Sequence, residues 1–355
     1  MTNIAPFLLS LLDSPGLSGF EEPTSDLIAE KWRPLVDELS TSTLGSLHGL
    51  RKANGKGKAP RIMIATHMDA IGMMVTKHDH GLLRFTHIGG IDPRILPGQS
   101  VTVHAQRDLP GIVQLIPDRL LESSAAGKTP DYKNLFIDTG LPEKEVQKLV
   151  QIGNTISFAQ KPFEMEGGCI VGHSLDNRAS VAALTICLEE LRTRELAWDV
   201  YAVATIKEEE AGVGSLTSAF EILPDIAVTI DVTFAKGPGS SDYRSFALGK
   251  GPSIGIGANI HPALHDSFIK LAREMDIPYG IEVMPKSSGT DSMMMQITAE
   301  GIPNMVLGIP LRYMHTCTEL VSVNDIYRAG RLLAGFISRL TPESSTTLFE
   351  RFTNE

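Results

Sequence analysis

Residues Trp198–Ser215 read WDVYAVATIKEEEAGVGS. Up to Thr205 the stretch is β-branched and aromatic, with the length of a buried strand. It then turns through Gly212 and Gly214 into LTSAFEIL, which reads as a helix. Strands that open through glycines into helices are the building unit of α/β folds. Packing does not explain the triplet Glu208–Glu210 at the turn. The dipole at a helix N-terminus favours some acid in the first turn, but three adjacent carboxylates repel one another unless something cationic sits among them. The expected cation is a metal ion.

Outward from this stretch the same grammar recurs. PRIMIAT (Pro60–Thr66) is an expected strand that delivers HMDAIG at its end. GHSLDNRASVAALTICLEELRTRE is a loop followed by an apolar-periodic helix, and DIAVTID is a further strand. PALHDSFIKLAREMD and TDSMMMQITAEG read as helices, NMVLGI as a strand, and VNDIYRAGRLLAGFISRL as a closing helix. Near the N-terminus, 4–14 and 22–33 read as helices, joined by a turn in which Ser18 and Glu21 have capping-box spacing. Between Met73 and Glu166 the pattern changes to short alternating runs (LLRFTHI, QSVTVHA, GIVQLI, TISFA) punctuated by glycine and proline, with one short helix in LPEKEVQKLVQIG. This predicts a small β-rich unit, barrel or sandwich. The expected fold class is α/β: a mixed sheet with helices on both faces, formed by 1–72 plus 167–355 and interrupted by the insert 73–166.

The 355 residues carry a net charge of -10, which argues against nucleic acid or an anionic membrane as partner and favours cations. Cys169, Cys187 and Cys317 are scattered and lack CxxC spacing, so neither a disulfide framework nor a thiolate zinc site is indicated. MTNIAPFLLSLLDS has no basic n-region and reads as an amphipathic helix instead of a signal peptide. No apolar run approaches the ~20 residues of a membrane span. A cytoplasmic protein is expected.

Acids and histidines gather just beyond the predicted strands: His67 and Asp69, Glu208–Glu210, Asp231 and His315, with Asp176 at a helix start. Loops at strand C-termini converge on one crevice in open α/β sheets. Imidazoles with carboxylates and no thiolate suit Zn²⁺ or Co²⁺, and one carboxylate can bridge two ions. Taken singly, each residue has a plainer reading: a surface His-x-Asp pair, a helix N-cap at Asp176, an Asx-turn at Asp231, a lone His315. Their coincidence at strand exits favours a metal site. His78 and His80 in KHDHG read as a hairpin turn, and Met293–Met295 as core.

HMDAIGMMV, GHSLDNRAS, EEEAGVGS, IDVT, GTDS and RYMH occur in the order found in the tetrahedral (TET) aminopeptidases, and the chain resembles that family from GLSGFEEP to its last helix. These are self-compartmentalising dinuclear metallopeptidases of the glutamyl/leucyl aminopeptidase type, sometimes labelled endoglucanase. The resemblance implies a phosphorylase/hydrolase-like α/β sandwich catalytic domain, with the insert as a β-barrel-like dimerisation domain. It implies two divalent ions per subunit, zinc or cobalt, with Asp176 bridging them. His67 and Asp231 would complete one ion, and Glu210 and His315 the other. Glu209 resembles the general base that acts on water, and Asp69 the residue that orients His67. This register aligns Gly212 with the glycine of the family's Gln-Glu-Glu-x-Gly and leaves Glu208 where glutamine is usual.

The implied reaction is hydrolysis of the N-terminal residue from peptides with a free N-terminus, by a two-metal-activated water and a glutamate base. A carboxypeptidase or deacylase of the same metal clan is the alternative. A glycosidase is opposed by an aromatic content of 6%, and a non-catalytic scaffold by the presence of Glu209 and Asp69. The family also implies a homo-oligomer, dimers assembling to a tetrahedral dodecamer.

Overall fold

The computed structural model describes residues 3–55, 57–120, 129–240 and 243–349. The strands Asp199–Thr205, Arg61–His67, Ile226–Phe234 and Asn304–Arg312 lie side by side in that order, all parallel, at the centre of an 11-stranded mixed sheet. Side chains alternate across a strand, and Arg61–His67 uses both faces. Ile62 and Ile64 join the large core beneath the helices Ala5–Asp13, Leu175–Leu191 and Val323–Ile337. Met63 and Ala65 join a smaller core with Ala219 and Ile222 of the helix Val213–Ile222 and Met295 of Ser292–Gln296. Residues apolar on both faces of a strand require cover on both sides, and the helices supply it.

The helix Leu175–Leu191 precedes strand Asp199–Thr205 on one face, and Val213–Ile222 follows it on the other. Strand Arg61–His67 therefore sits between neighbours reached over opposite faces, and a crevice opens at its carboxyl end. His67 is the last residue of that strand.

Five residues later the chain enters a different sheet. Gly72–Asp79, Leu82–Ile88, Leu135–Asp138, Asp108–Leu115, Ser100–His104 and Thr155–Phe158 close, in that spatial order, into a six-stranded barrel. Val75, Phe85, Val101, Val103, Val113, Ile137 and Ile156 fill it, with Val146 of the short helix Glu143–Leu149. The KHDHG hairpin turns through His80 (φ 53°) and Gly81 (φ 86°), the pair of left-handed residues that a tight hairpin requires. The chain regains the large sheet at Phe163–Met165 and Cys169–Gly172.

Three details differ from the sequence reading. Ser18 and Glu21 form no capping box: Glu21 is itself the N-cap residue, and its carboxylate accepts the amides of Gly19 and Lys207. The helix expected over TDSMMMQITAEG is only Ser292–Gln296, because the chain turns at Thr298 and at Ala299 (φ 53°) to start the strand Asn304–Arg312. Short strands at Glu38–Thr41, Leu47–Arg51, Ser253–Gly257, Gly280–Met284 and Glu319–Ser322 extend the sheet beyond the expected set.

Arg178, fully buried in the first turns of Leu175–Leu191, ties these parts together. Its guanidinium donates to the carbonyls of Met68 (3.3 Å), Ser14 (2.7 Å), Gly16 (3.3 Å) and Leu11. One cation thus fixes the N-terminal helix to the exit of the His67 strand. Replacing Arg178 with Met removes the guanidinium from all four carbonyls, although Ser14 N still reaches Leu11 O and Ala70 N still reaches Gly16 O, and unfolding free energy should fall by about 3–5 kcal/mol in urea titrations. A loss below about 1 kcal/mol would show that water replaces the guanidinium.

Candidate metal centre

The turn after Thr205 is shaped by backbone constraints. Lys207 (φ 55°) and Gly212 (φ 61°) adopt left-handed conformations, and the amides of Ala211 and Gly212 both donate to Lys207 O. The helix Val213–Ile222 then folds back on the strand exit so closely that a Cβ at Gly214 would lie 2.4 Å from Ile206 O and 2.6 Å from Ile206 N. Asp69 braces this turn from the neighbouring strand: Oδ1 accepts the amide of Glu208 (3.1 Å) and Oδ2 that of Glu209 (3.2 Å). The same residue holds His67, whose Nδ1 lies 3.2 Å from Asp69 O and 3.6 Å from Oδ1.

Asp176 stands at the middle. Its Oδ1 lies 3.1 Å from His67 Nε2 and its Oδ2 3.3 Å from His315 Nε2, so each carboxylate oxygen faces a different imidazole. Glu319 positions this pair by accepting the amides of Asp176 (3.0 Å) and His315 (2.8 Å), one on each oxygen. Asp231 Oδ1 is 3.8 Å from His67 Nε2. His315 Nδ1 is 2.9 Å from Gly90 O in the barrel loop. Carbonyls only accept, so Nδ1 carries the proton in both histidines, and both Nε2 atoms face the same inner space.

The three glutamates diverge. Glu209 Oε2 lies 3.5 Å from His315 Nε2, and ligand atoms of His67, Asp176 and Glu209 all lie within 4.8 Å of one another. Glu208 Oε2 is 3.8 Å from His67 Nε2. Glu210 is exposed, accepts the amide of Gly89 at 2.6 Å, and makes no ion pair with either imidazole among the described residues. The structure therefore gathers His67, Asp69, Asp176, Glu209, Asp231 and His315, with Glu208 at their edge, and leaves Glu210 outside. Beside His315, where the sequence reading expected Glu210, stands Glu209. The left-handed Lys207 ends the strand's alternation before the glutamates begin, so period two does not sort them.

Glu319 and Asp291 are additional. Asp291, from GTDS, is buried behind the turn, with Oδ2 accepting from Thr205 Oγ1 at 2.5 Å. Glu319 left little trace in the sequence beyond an acid four residues after His315.

Burial pushes Glu208 up from 4.5 to about 9, with the charges of Asp231 and Asp291 adding to the effect. Glu209, Asp231 and Glu319 are pushed well above the carboxylate range, again chiefly by burial. Burial raises Asp176 too, but its bonds to His315 and His67 outweigh this and hold it below its ordinary value. Burial alone would depress His67; Asp176 and Asp69 reverse that and lift it well above 6.5. The bond to Asp176 raises His315. Such a crowd of buried carboxylates around two imidazoles is short of positive charge. Its nitrogen and oxygen donors, with no thiolate among them, fit divalent zinc or cobalt.

The sequence profile of the M42 glutamyl aminopeptidases matches residues 45–332. The chain belongs to this family. It is 32% identical to the lysyl aminopeptidase of Pyrococcus furiosus over 342 residues, 95% of this chain and 97% of that one. Its fold superimposes on aminopeptidase APDkam598 of Desulfurococcus kamchatkensis with a TM-score of 0.90, at 33% identity and 97% coverage of both chains. The Pyrococcus horikoshii TET1 peptidase, which can assemble into a tetrahedron or a large octahedral shell, aligns with a TM-score of 0.82 at 26% identity over 95% of this chain and 100% of that one. Family membership makes the chain an aminopeptidase-type hydrolase of the metallopeptidase class. No helix among its described residues is long and apolar enough to cross a membrane.

The raised groups set a pH dependence for this M42 peptidase when stripped of metal. A carboxylate raised in the folded state stabilises it only while protonated, and that contribution is lost as pH climbs through the raised value. For Glu208 this loss spans 4.5 to about 9. His67, also raised, has the same sign above 6.5, whereas Asp176, lowered, loses its contribution only in strong acid. The melting temperature of chelator-treated protein should therefore fall between about pH 5 and pH 9, and zinc should abolish the fall. A flat profile for chelated protein would contradict this assignment of charge.

Proposed function

We propose that the chain removes N-terminal residues from peptides, using two divalent ions held by His67, Asp176, Glu209, Asp231 and His315. The observation that carries this reading is Asp176, whose two oxygens face two imidazoles with Asp231 on the His67 side and Glu209 on the His315 side. Bound there, such ions supply Lewis acidity to a peptide carbonyl and lower the pKa of water.

The remaining work belongs to side chains. Glu208, half-buried at the edge of the cluster with Oε2 turned toward the inner space, would be held ionised by cations bound in the cluster, and takes a proton from the attacking water and returns it to the leaving nitrogen. Asp69 fixes the tautomer of His67 and the backbone of both glutamates. Asp176, held below its ordinary value, stays an acceptor on both oxygens. This reading shifts the glutamate run by one residue from the sequence expectation, in which Glu209 was the base and Glu210 a ligand.

The two registers separate cleanly. Glu208→Gln should keep both ions by metal analysis and lose about 10²–10⁴ in kcat, whereas Glu209→Gln should lose one ion. Retention of both ions by Glu209→Gln, with turnover intact in Glu208→Gln, would restore the earlier register. Aminoacyl chromogenic substrates with free and blocked N-termini, assayed before and after chelation, test the reaction itself. Cleavage of free substrates alone, abolished by chelator, is the expected result; faster cleavage of blocked ones favours a deacylase.

We also infer a homo-oligomer in which the barrel insert, 73–166, carries a dimer contact and dimers build a tetrahedral shell, as the shell-forming relative supports. Elution at the mass of a dodecamer is expected; elution as a monomer would contradict the inference.

A further inference from the structure

Glu210 has no role in the catalytic reading above, yet it is not idle. We propose that it is a positioning residue: a latch that, with His315, grips the consecutive residues Gly89 and Gly90 of the barrel loop and so sets how that imidazole is presented. This inference rests on the assignment of His315 as a ligand.

Glu210 Oε1 takes the amide of Gly89 at 2.6 Å, and one residue on, Gly90 O takes the Nδ1 proton of His315 at 2.9 Å. The loop is held equally firmly from the barrel side. His87 Nδ1 donates to Gly89 O (2.7 Å) and Tyr132 Oη to Ile91 O (2.8 Å), with the His87 and Tyr132 rings tilted at 36° and their centroids 5.1 Å apart. There is no slack between loop and site. A Cβ at Gly90 would sit 3.0 Å from His315 Nδ1; one at Gly89 (φ 71°) would meet Ile71 Cγ2 at 2.5 Å and Glu209 Oε2 at 3.3 Å.

The carbonyl that orients His315 therefore belongs to the residue next to the one whose amide is pinned by Glu210, three positions after Lys207 has turned the chain away from its strand. Without the Glu210 carboxylate the Gly89 amide turns to solvent. Gly90 O is then fixed from the barrel side alone, and the imidazole gains freedom to rotate. An acceptor is what the latch requires; a negative charge is not. Glutamine satisfies it, and alanine does not.

The test uses the full-length protein with Glu210→Gln, Glu210→Ala and Gly90→Ala. Zinc number and affinity are measured by competition with a chromogenic chelator, together with kcat and KM. Hydrogen exchange of 88–91 is followed in metal-free protein. Expected results are full zinc number for Glu210→Gln, with affinity within about threefold of the parent, and a loss of about 10–100-fold in affinity for Glu210→Ala. In Glu210→Ala, kcat should fall with little change in KM, and exchange at 88–91 should accelerate, while Glu210→Gln restores protection. Gly90→Ala, which displaces His315 directly, should reproduce the affinity loss. Loss of an ion in Glu210→Gln would make Glu210 a ligand and overturn the latch, as would a Glu210→Ala protein indistinguishable from the parent. Should the parent bind no zinc and cut no peptide, the functional reading fails instead, and the exchange rates still decide whether Glu210 holds the loop.

Discussion

Buried negative charge governs this molecule. Asp176, Glu208, Glu209, Asp231 and Glu319 are crowded at the ends of parallel strands, and among the described residues His67, His315, backbone amides and the buried Arg178 beside Glu319 oppose them. Carboxylates in such surroundings either hold protons or hold cations. The structure has invested heavily in keeping them there. Asp69 and Glu319 each accept amides on both oxygens, which orients the cluster from behind and leaves its ligand atoms pointing inward. Such outer partners define the geometry of a metal site as much as its ligands do.

The topology converts this charge into a site. Strand Arg61–His67 contributes one imidazole because it ends between neighbours reached over opposite faces, and Asp231 and the glutamate turn arrive on either side of it. Asp176 and His315 come from a helix start and from the turn after an adjacent strand. Apart from His67 with Asp69 and the adjacent Glu208 and Glu209, these residues come from separate local motifs. The cluster is a product of the sheet order, and it exists only when the whole sheet does.

Much of this was legible in the chain. The central strands are long, apolar and flanked by glycines, and the helices Leu175–Leu191 and Val323–Ile337 carry sustained apolar periodicity. Both signals are strong because both elements are buried over many residues. The strands Glu38–Thr41, Leu47–Arg51 and Glu319–Ser322 are four or five residues long, too short for alternation to stand out. The glutamate run shows a different limit. Its composition announces a cation, but the roles of Glu208, Glu209 and Glu210 depend on φ at Lys207 and on the close approach at Gly214, neither of which a strand period describes. Glu319 and Arg178 left little trace because their partners are backbone groups, most of them distant in sequence.

The closed barrel has a consequence of its own. Its strands pair around the full circle, so among the described residues no barrel strand lacks a partner on either side. Strand addition, the easiest and least selective way for β proteins to associate or aggregate, is barred to it. Any contact made through the barrel has to be written in its side chains, and is therefore open to sequence-by-sequence tuning of who joins whom.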